Sequence, residues 1–226
     1  MLSVAGVRRR LLSTIGLSAQ TKRSLKLDWL RLKARASQYR KRPITSASLH
    51  IGCGSRHFEG WLNVDLYGSD WNVDLQSPLP WPSNTFEVVL GQHVIEHLEL
   101  TDELLPLLRE LHRVCKDGAE VWLSCPDMAK VCTSYIEDRG QRLVIDRMTR
   151  WPFSLDGAPA QQMINLLFHQ KGQHKNLFDF ELLSWTLKQA GFSECRRTSE
   201  AELLSRYPKL PPRNDESQTL YVVAFR

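Results

Sequence analysis

The sequence predicts an α/β protein: a mainly parallel sheet with an antiparallel edge strand, helices on both faces, and a basic helical arm ahead of it. Three observations carry this reading. From residue 46 onward, short apolar runs alternate with segments of helical spacing, the pattern of strand–helix–strand units. The first of these runs ends in Gly-x-Gly and the second in an acid. Charge is also split along the chain. Residues 1–42 hold twelve Lys/Arg against the single acid Asp28, a net +11, while the remainder carries −6.

The 226 residues fill one domain plus an appendage. An apolar share of 42% with 24% charged residues is that of a globular chain rather than a disordered one. The five cysteines are odd in number and form no C-x-x-C pair. That excludes a disulfide framework and a zinc knuckle and points to a reducing, cytoplasmic setting. No apolar run approaches the ~18 residues of a membrane span. "RRRLLSTIGLSAQ" has the charge of a secretory signal, but its apolar part is short and interrupted by Ser, Thr and Gly. An organelle transit peptide, rich in Arg and poor in acids, remains open for the same stretch.

The arm covers residues 1–45. Within it Leu25, Trp29, Leu32 and Ala36 recur at helical spacing among Lys and Arg, a basic amphipathic pattern. It suits peripheral contact with an anionic membrane through residues 8–42, or packing of the apolar stripe on the body. Pro43 ends the element.

The domain, 46–226, follows element by element. "ASLHIGCG" (47–54), "WLNVDL" (61–66) and "FEVVLGQHV" (86–94) read as strands. Residues 100–118 read as a helix through Leu104, Leu105, Leu108, Leu111 and Val114, closing at Gly118. "AEVWLSCP" (119–126) is the next strand and 179–192 an amphipathic helix. "FSECRRTS" (192–199) and "TLYVVAFR" (219–226) finish the chain as an antiparallel pair joined through the polar, Pro-rich 207–218. The long connection between, about 127–178, reads as a lid at the ligand end of the sheet.

Ligands of such sheets sit at the carboxyl ends of the strands. There the sequence places Gly52-Cys53-Gly54, Asp65, Asp74, Gln92-His93 and Asp127. Glycines let the backbone approach a ligand, and an acid ending the second strand can accept both hydroxyls of a ribose. A dinucleotide is a poor fit: the third glycine of G-x-G-x-x-G is missing, and Asp65 arrives only eleven residues after Gly54 instead of about twenty. No G-K-[ST] phosphate loop occurs.

"LHIGCGSRHFEGWLNVDL", "DLQSPLPWPSNTFEVVLGQHVIEHL" and "LHRVCKDGAEVWLSCPD", in that order, resemble the class I S-adenosylmethionine-dependent methyltransferases, and more narrowly a small subgroup found with polysaccharide biosynthesis enzymes. The resemblance spans about 47–226 and implies a Rossmann-like, seven-stranded sheet. It implies that Gly52, Cys53 and Gly54 follow the methionine and ribose of S-adenosylmethionine, and that Asp65 accepts the ribose hydroxyls beside Leu66. It also implies that Asp74 and Leu75 meet the adenine, and that Gln92 and His93 lie near the sulfonium. The residue before the glycine loop, usually acidic in this family, is His50 here.

Methyl transfer to a hydroxyl calls for a proton acceptor, and the resemblance puts His174, in "GQHKNLFDF", in that role; His169 is a weaker candidate. Asp127 suits either an acceptor hydroxyl or the cap of the next helix. Trp151 and Phe153 suit stacking on an acceptor or a small core within the lid. Arg56, His57 and His112 read as surface residues. The expected acceptor is a small molecule, saccharide or glycolipid. Nucleic acid is disfavoured by the acidic body and by "CPDM" where a base-flipping tetrapeptide would stand. Two other classes stay open. One is a degenerate cofactor-binding module. The other is a zinc hydrolase using His93, Glu96 and His97, which spell H-x-x-E-H; the expectation is that no metal is held there.

Overall fold

A computed structural model describes residues 16–226. Arg8, Arg9 and Arg10 of the arm, and most of the stretch weighed as a targeting signal, lie outside the described residues. The elements are α1 (Ala19–Gln38), β1 (Ser48–Ile51), β2 (Leu62–Asp65), β3 (Trp71–Asn72), β4 (Phe86–Gln92), α2 (Leu105–Val114) and β5 (Cys115–Pro126). Three lid helices follow, α3 (Met128–Asp138), α4 (Gln141–Arg150) and α5 (Gln161–His169). The chain ends with α6 (Phe180–Gln189), β6 (Glu194–Thr198), α7 (Glu200–Arg206) and β7 (Thr219–Phe225).

The seven strands form one sheet in the order β3-β2-β1-β4-β5-β7-β6. β1 to β5 pair in parallel, and β7 runs antiparallel between β5 and β6. The order reverses at β1/β4, where crossovers leave in opposite directions and a crevice opens at the strand ends.

The two faces are covered differently. α2 and α6 bury Leu107, Leu108, Leu111, Leu183 and Leu187 on one face, with Leu49, Ile51, Val89 and Leu123 of the strands. The other face carries Phe58, Leu90, Trp122 and Tyr221 under Leu203 of α7 and Leu210. No helix follows the glycine loop, and residues 52–61 are irregular. α2 ends at Val114 rather than Gly118 because Cys115 is already paired with Phe86 in the sheet. Gly118, at φ +77°, turns the chain within β5. β3 and α7 had no periodic signature long enough to read.

The arm's helix packs on the domain, but not through its apolar stripe. Leu25, Trp29 and Leu32 are 48%, 39% and 65% exposed, whereas Leu30, Ala34 and Gln38 are buried. Polar groups choose this face. Gln38 accepts from Asp74 N (3.0 Å) and donates to Ser77 Oγ (2.8 Å), and its carbonyl accepts Trp71 Nε1 (3.0 Å). Ser18 caps the first turn by accepting from Thr21 N.

His50 is buried away from the strand-end crevice. Its ring stacks on Phe58 at 4.1 Å, and Nδ1 donates to Asn63 Oδ1 (3.1 Å). Burial pulls its pKa down from 6.5 to about 4. Between those values the unfolded chain binds the extra proton, so His50 lowers stability as pH falls from 6.5 towards 4 and costs nothing above it. Denaturant unfolding at pH 7 and pH 4.5 should show a loss of roughly 2 kcal/mol from this group. His50→Gln should flatten that part of the slope; an unaltered slope would remove the assignment.

Candidate active site

The glycine loop is shaped by close contact. Gly52 has φ +61°, and a β-carbon there would stand 2.5 Å from Val94 Cγ2. Only glycine satisfies both the conformation and the space. Asp65, at the end of β2, holds the loop: Oδ2 accepts Gly54 N (2.8 Å) and Oδ1 accepts Leu66 N (2.6 Å). A carboxylate has about four acceptor positions, so Asp65 retains lone pairs for a ligand's hydroxyls.

Beside the loop lies a cavity of about 510 Å³, within the roughly 300–1,000 Å³ of small-molecule sites. Gly52, Asp65, Leu66, Asp74, Leu75 and His93 all line it. Cys53, Gly54 and Gln92 stand off its wall: Cys53 and Gln92 are buried, and Gly54 acts through its N–H on Asp65. Burial pushes the Cys53 thiol up to about 12, which leaves it inert at neutral pH. The opposite wall is α1, with Arg23, Leu27 and Arg31. Arg35 Nε reaches the buried Asp74 Oδ2 at 2.5 Å, and Gln76 N donates to Oδ1 (3.1 Å). Asp74, like Asp65, thus accepts two bonds and keeps acceptor positions on the cavity side.

A second cavity, about 470 Å³, opens under the lid. Arg56, Arg147, Arg150 and Arg213 line it together with Trp151 and Phe153. Among the described residues no carboxylate pairs with Arg147, and Nε of both Arg56 and Arg150 is buried without a hydrogen-bond partner. Burial and the neighbouring Arg150 pull the Arg147 guanidinium below its ordinary value, and burial with Arg213 does the same to Arg56. Arg150 pairs with Asp146 (2.5 Å) and Arg213 with Asp215 (2.9 Å), so it is Arg56 and Arg147 that keep charge for an anion. Arg56, read as a surface residue, thus belongs to the site. His112 packs against Phe192 instead.

The cavities meet at His93 and His97, which line both. His93 follows β4 in a left-handed conformation, φ +55°. Its Nε2 donates to Asp215 Oδ2 (3.0 Å) and its Nδ1 to Glu96 Oε1 (3.2 Å). Burial alone would lower its pKa, but the two carboxylates outweigh it and raise it. Asp215 is held low against burial by His93, Tyr221 and Arg213. His93 is thus a buried imidazolium between two carboxylates and has no lone pair to give.

The H-x-x-E-H trio therefore does not assemble as its spelling suggests. Glu96 and His97 lie in the short helical turn Ile95–His97, and the third member of their cluster comes from the lid. Lys175 N donates to Glu96 O (2.8 Å) and draws His174 alongside. His174 Nδ1 donates to Leu167 O (2.6 Å) and His97 Nδ1 to Gln173 O (3.2 Å). Both Nε2 atoms are thereby left as bare lone pairs. Burial lowers the His174 pKa, which keeps the ring neutral at pH 7. His169 has no place in either cavity wall. Asp127 caps α3 through Ala129 N and Lys130 N.

Asp215 and the four arginines escaped the sequence reading. Arg147 and Arg150 carried a weak signal, one helical turn apart within the lid. Asp215, in a Pro-rich connection, carried none.

Residues 71–123 match the family model described as a methyltransferase domain. Among solved structures the chain is similar to an S-adenosylmethionine-dependent methyltransferase from Mesorhizobium loti, with 16% identity over 86% of this chain and 96% of that one and a TM-score of 0.44. It is also similar to one from Archaeoglobus fulgidus, with 16% identity over 90% and 94% of the two chains and a TM-score of 0.45. A candidate O-methyltransferase from Nostoc punctiforme matches at 12% identity and a TM-score of 0.47. That match covers 88% of this chain, which spans only 56% of the Nostoc protein. No curated protein matches the chain. The matched segment runs from β3 into β5 and so takes in Asp74 and the end of β4 beside the first cavity.

The residues present fit S-adenosylmethionine, the cofactor that the resemblance implies. The Gly52 backbone offers close approach, Asp65 offers open acceptor positions, and Leu66 and Leu75 offer apolar contact for a base. Asp65→Ala removes both carboxylate bonds to the loop and the hydroxyl acceptor together. It should weaken S-adenosylhomocysteine binding by at least about 100-fold in calorimetric titration; a loss under fivefold would place the cofactor elsewhere.

Proposed function

We propose that the protein methylates an oxygen of an anionic acceptor, a saccharide or glycolipid bearing a phosphate or carboxylate. The observation that carries this reading is the junction of two cavities at His93 and His97, one walled by the glycine loop and Asp65, the other by four arginines. When bound, S-adenosylmethionine supplies an electrophilic methyl group on a sulfonium. The chain's part is placement. Arg56, Arg147, Arg150 and Arg213 hold the anion, and Trp151 offers a face to the acceptor's body. The bare Nε2 atoms of His97 and His174 face the region where the acceptor hydroxyl meets the methyl, and loss of the hydroxyl's proton is what they assist.

Titration with S-adenosylhomocysteine, followed by labelled methyl transfer to phosphorylated and uronic saccharides, tests this. Binding and transfer are expected, with Arg147→Ala raising the acceptor KM at least tenfold and leaving S-adenosylhomocysteine affinity unchanged. Binding with no transfer to any anionic acceptor would favour a binding module, and an unchanged KM in Arg147→Ala would remove the anion.

The outer face of α1 supports peripheral attachment to an anionic membrane. Leu25, Trp29 and Leu32 are exposed there beside Lys22, Lys26 and Lys33, apolar anchors within a basic surface. Sedimentation with vesicles containing phosphatidylserine should fall at least fivefold for Trp29→Ala/Leu32→Glu. Equal sedimentation of the two proteins would dismiss the attachment.

A further inference from the structure

We propose that Glu96, His97 and His174 form a divalent metal site of the zinc class, with its open side towards the acceptor cavity. One ligand atom from each residue lies within 4.8 Å of the others, and Glu96 Oε1 stands 4.0 Å from His174 Nε2. Ligands of a tetrahedral ion held at about 2.0–2.1 Å are a little over 3 Å apart, so modest side-chain movement closes the site.

The protonation pattern is that of metal ligands. Both imidazoles donate Nδ1–H to backbone carbonyls, Gln173 O and Leu167 O. This is the arrangement that fixes ring orientation and the tautomer with Nε2 free. A second, independent observation comes from the carboxylate. Glu96 is 1% exposed, His93 occupies its Oε1, and its Oε2 is buried with no hydrogen-bond partner. A buried carboxylate oxygen without a partner calls for one, and an ion bridging towards the two imidazoles would supply it. His93 cannot be the third ligand, since both its nitrogens donate to carboxylates. Two imidazoles and one carboxylate suit zinc, cobalt or manganese better than magnesium or calcium, which take oxygen.

The consequence rests on the acceptor reading above. An acceptor hydroxyl on the open position would have its O–H bond weakened and would give its proton to a solvent water. Its oxygen would then bond the methyl carbon as the carbon–sulfur bond breaks, the electron pair staying on sulfur. His174 then acts as a ligand rather than as the proton acceptor.

The full chain, stripped with a chelator and dialysed, would be titrated with Zn²⁺ and with Co²⁺ and followed by metal analysis and visible absorption. One ion per chain is expected, with the intense visible bands of four- or five-coordinate Co²⁺. Affinity should fall at least 100-fold in Glu96→Gln and in His174→Gln, and S-adenosylhomocysteine binding should persist in both. An intact chain that binds S-adenosylhomocysteine but no metal overturns the site, as does undiminished metal binding by the His97→Ala/His174→Gln protein. The Co²⁺ spectrum of the intact chain decides the matter even where a variant fails to fold. Metal binding without S-adenosylhomocysteine binding would keep the site and sink the methyltransferase reading.

Discussion

The buried charge line Asp215–His93–Glu96 is the interaction on which the rest of the site depends. It joins the end of β4 to the C-terminal connection 122 residues away, and Asp215 also receives Tyr221 Oη from β7 at 2.7 Å. An unpaired ion in such a place costs several kcal/mol, so each member is held by the others. The left-handed backbone at His93 is a cost this network sustains. Its return is geometric: Glu96 is held with Oε1 between His93 and the lid's His174.

The lid and the arm are tied to this centre by backbone rather than by apolar contact alone. Lys175 N and Asn176 N both bond Glu96 O, and Met128 N bonds Phe178 O where the lid rejoins the domain. Between those anchors Val131, Leu143, Met163, Ile164 and Leu167 make a small core of their own. The lid is thus a packed helical layer with fixed ends, and it delivers His174 to a definite place. Arg23 of α1 completes the enclosure by donating to Lys171 O at 2.9 Å.

The fold was legible because its signals are local. Strand-ending Gly52 and Asp65, the Leu pattern of α2 and the apolar run of β5 each act within a few residues. The wall of the first cavity was legible for the same reason, since Gly52 and Asp65 stand at strand ends. The arginine-lined cavity was not. Arg56, Arg147 and Arg213 come from three distant segments, and nothing near Asp215 marks it as the partner of His93. The arm misled for a different reason. Its most regular apolar stripe faces outward, and the buried face is selected by Arg35 and Gln38, which hydrophobic periodicity counts as surface. H-x-x-E-H was half informative: Glu96 and His97 do converge, but with a histidine that only the lid's path could supply.

The contact between Arg23 and Lys171 spans 148 residues of chain, and this has a consequence for biosynthesis. At about 5–20 residues per second, the ribosome delivers the second partner some 7 to 30 seconds after the first. For that interval the stretch that becomes α1 has neither the turn that receives Arg23 nor, at first, the loop that receives Gln38. A lone helix gains little in water without tertiary packing, so this segment is among the last to find its place. During that wait its tryptophan and basic residues are accessible to whatever meets the nascent chain.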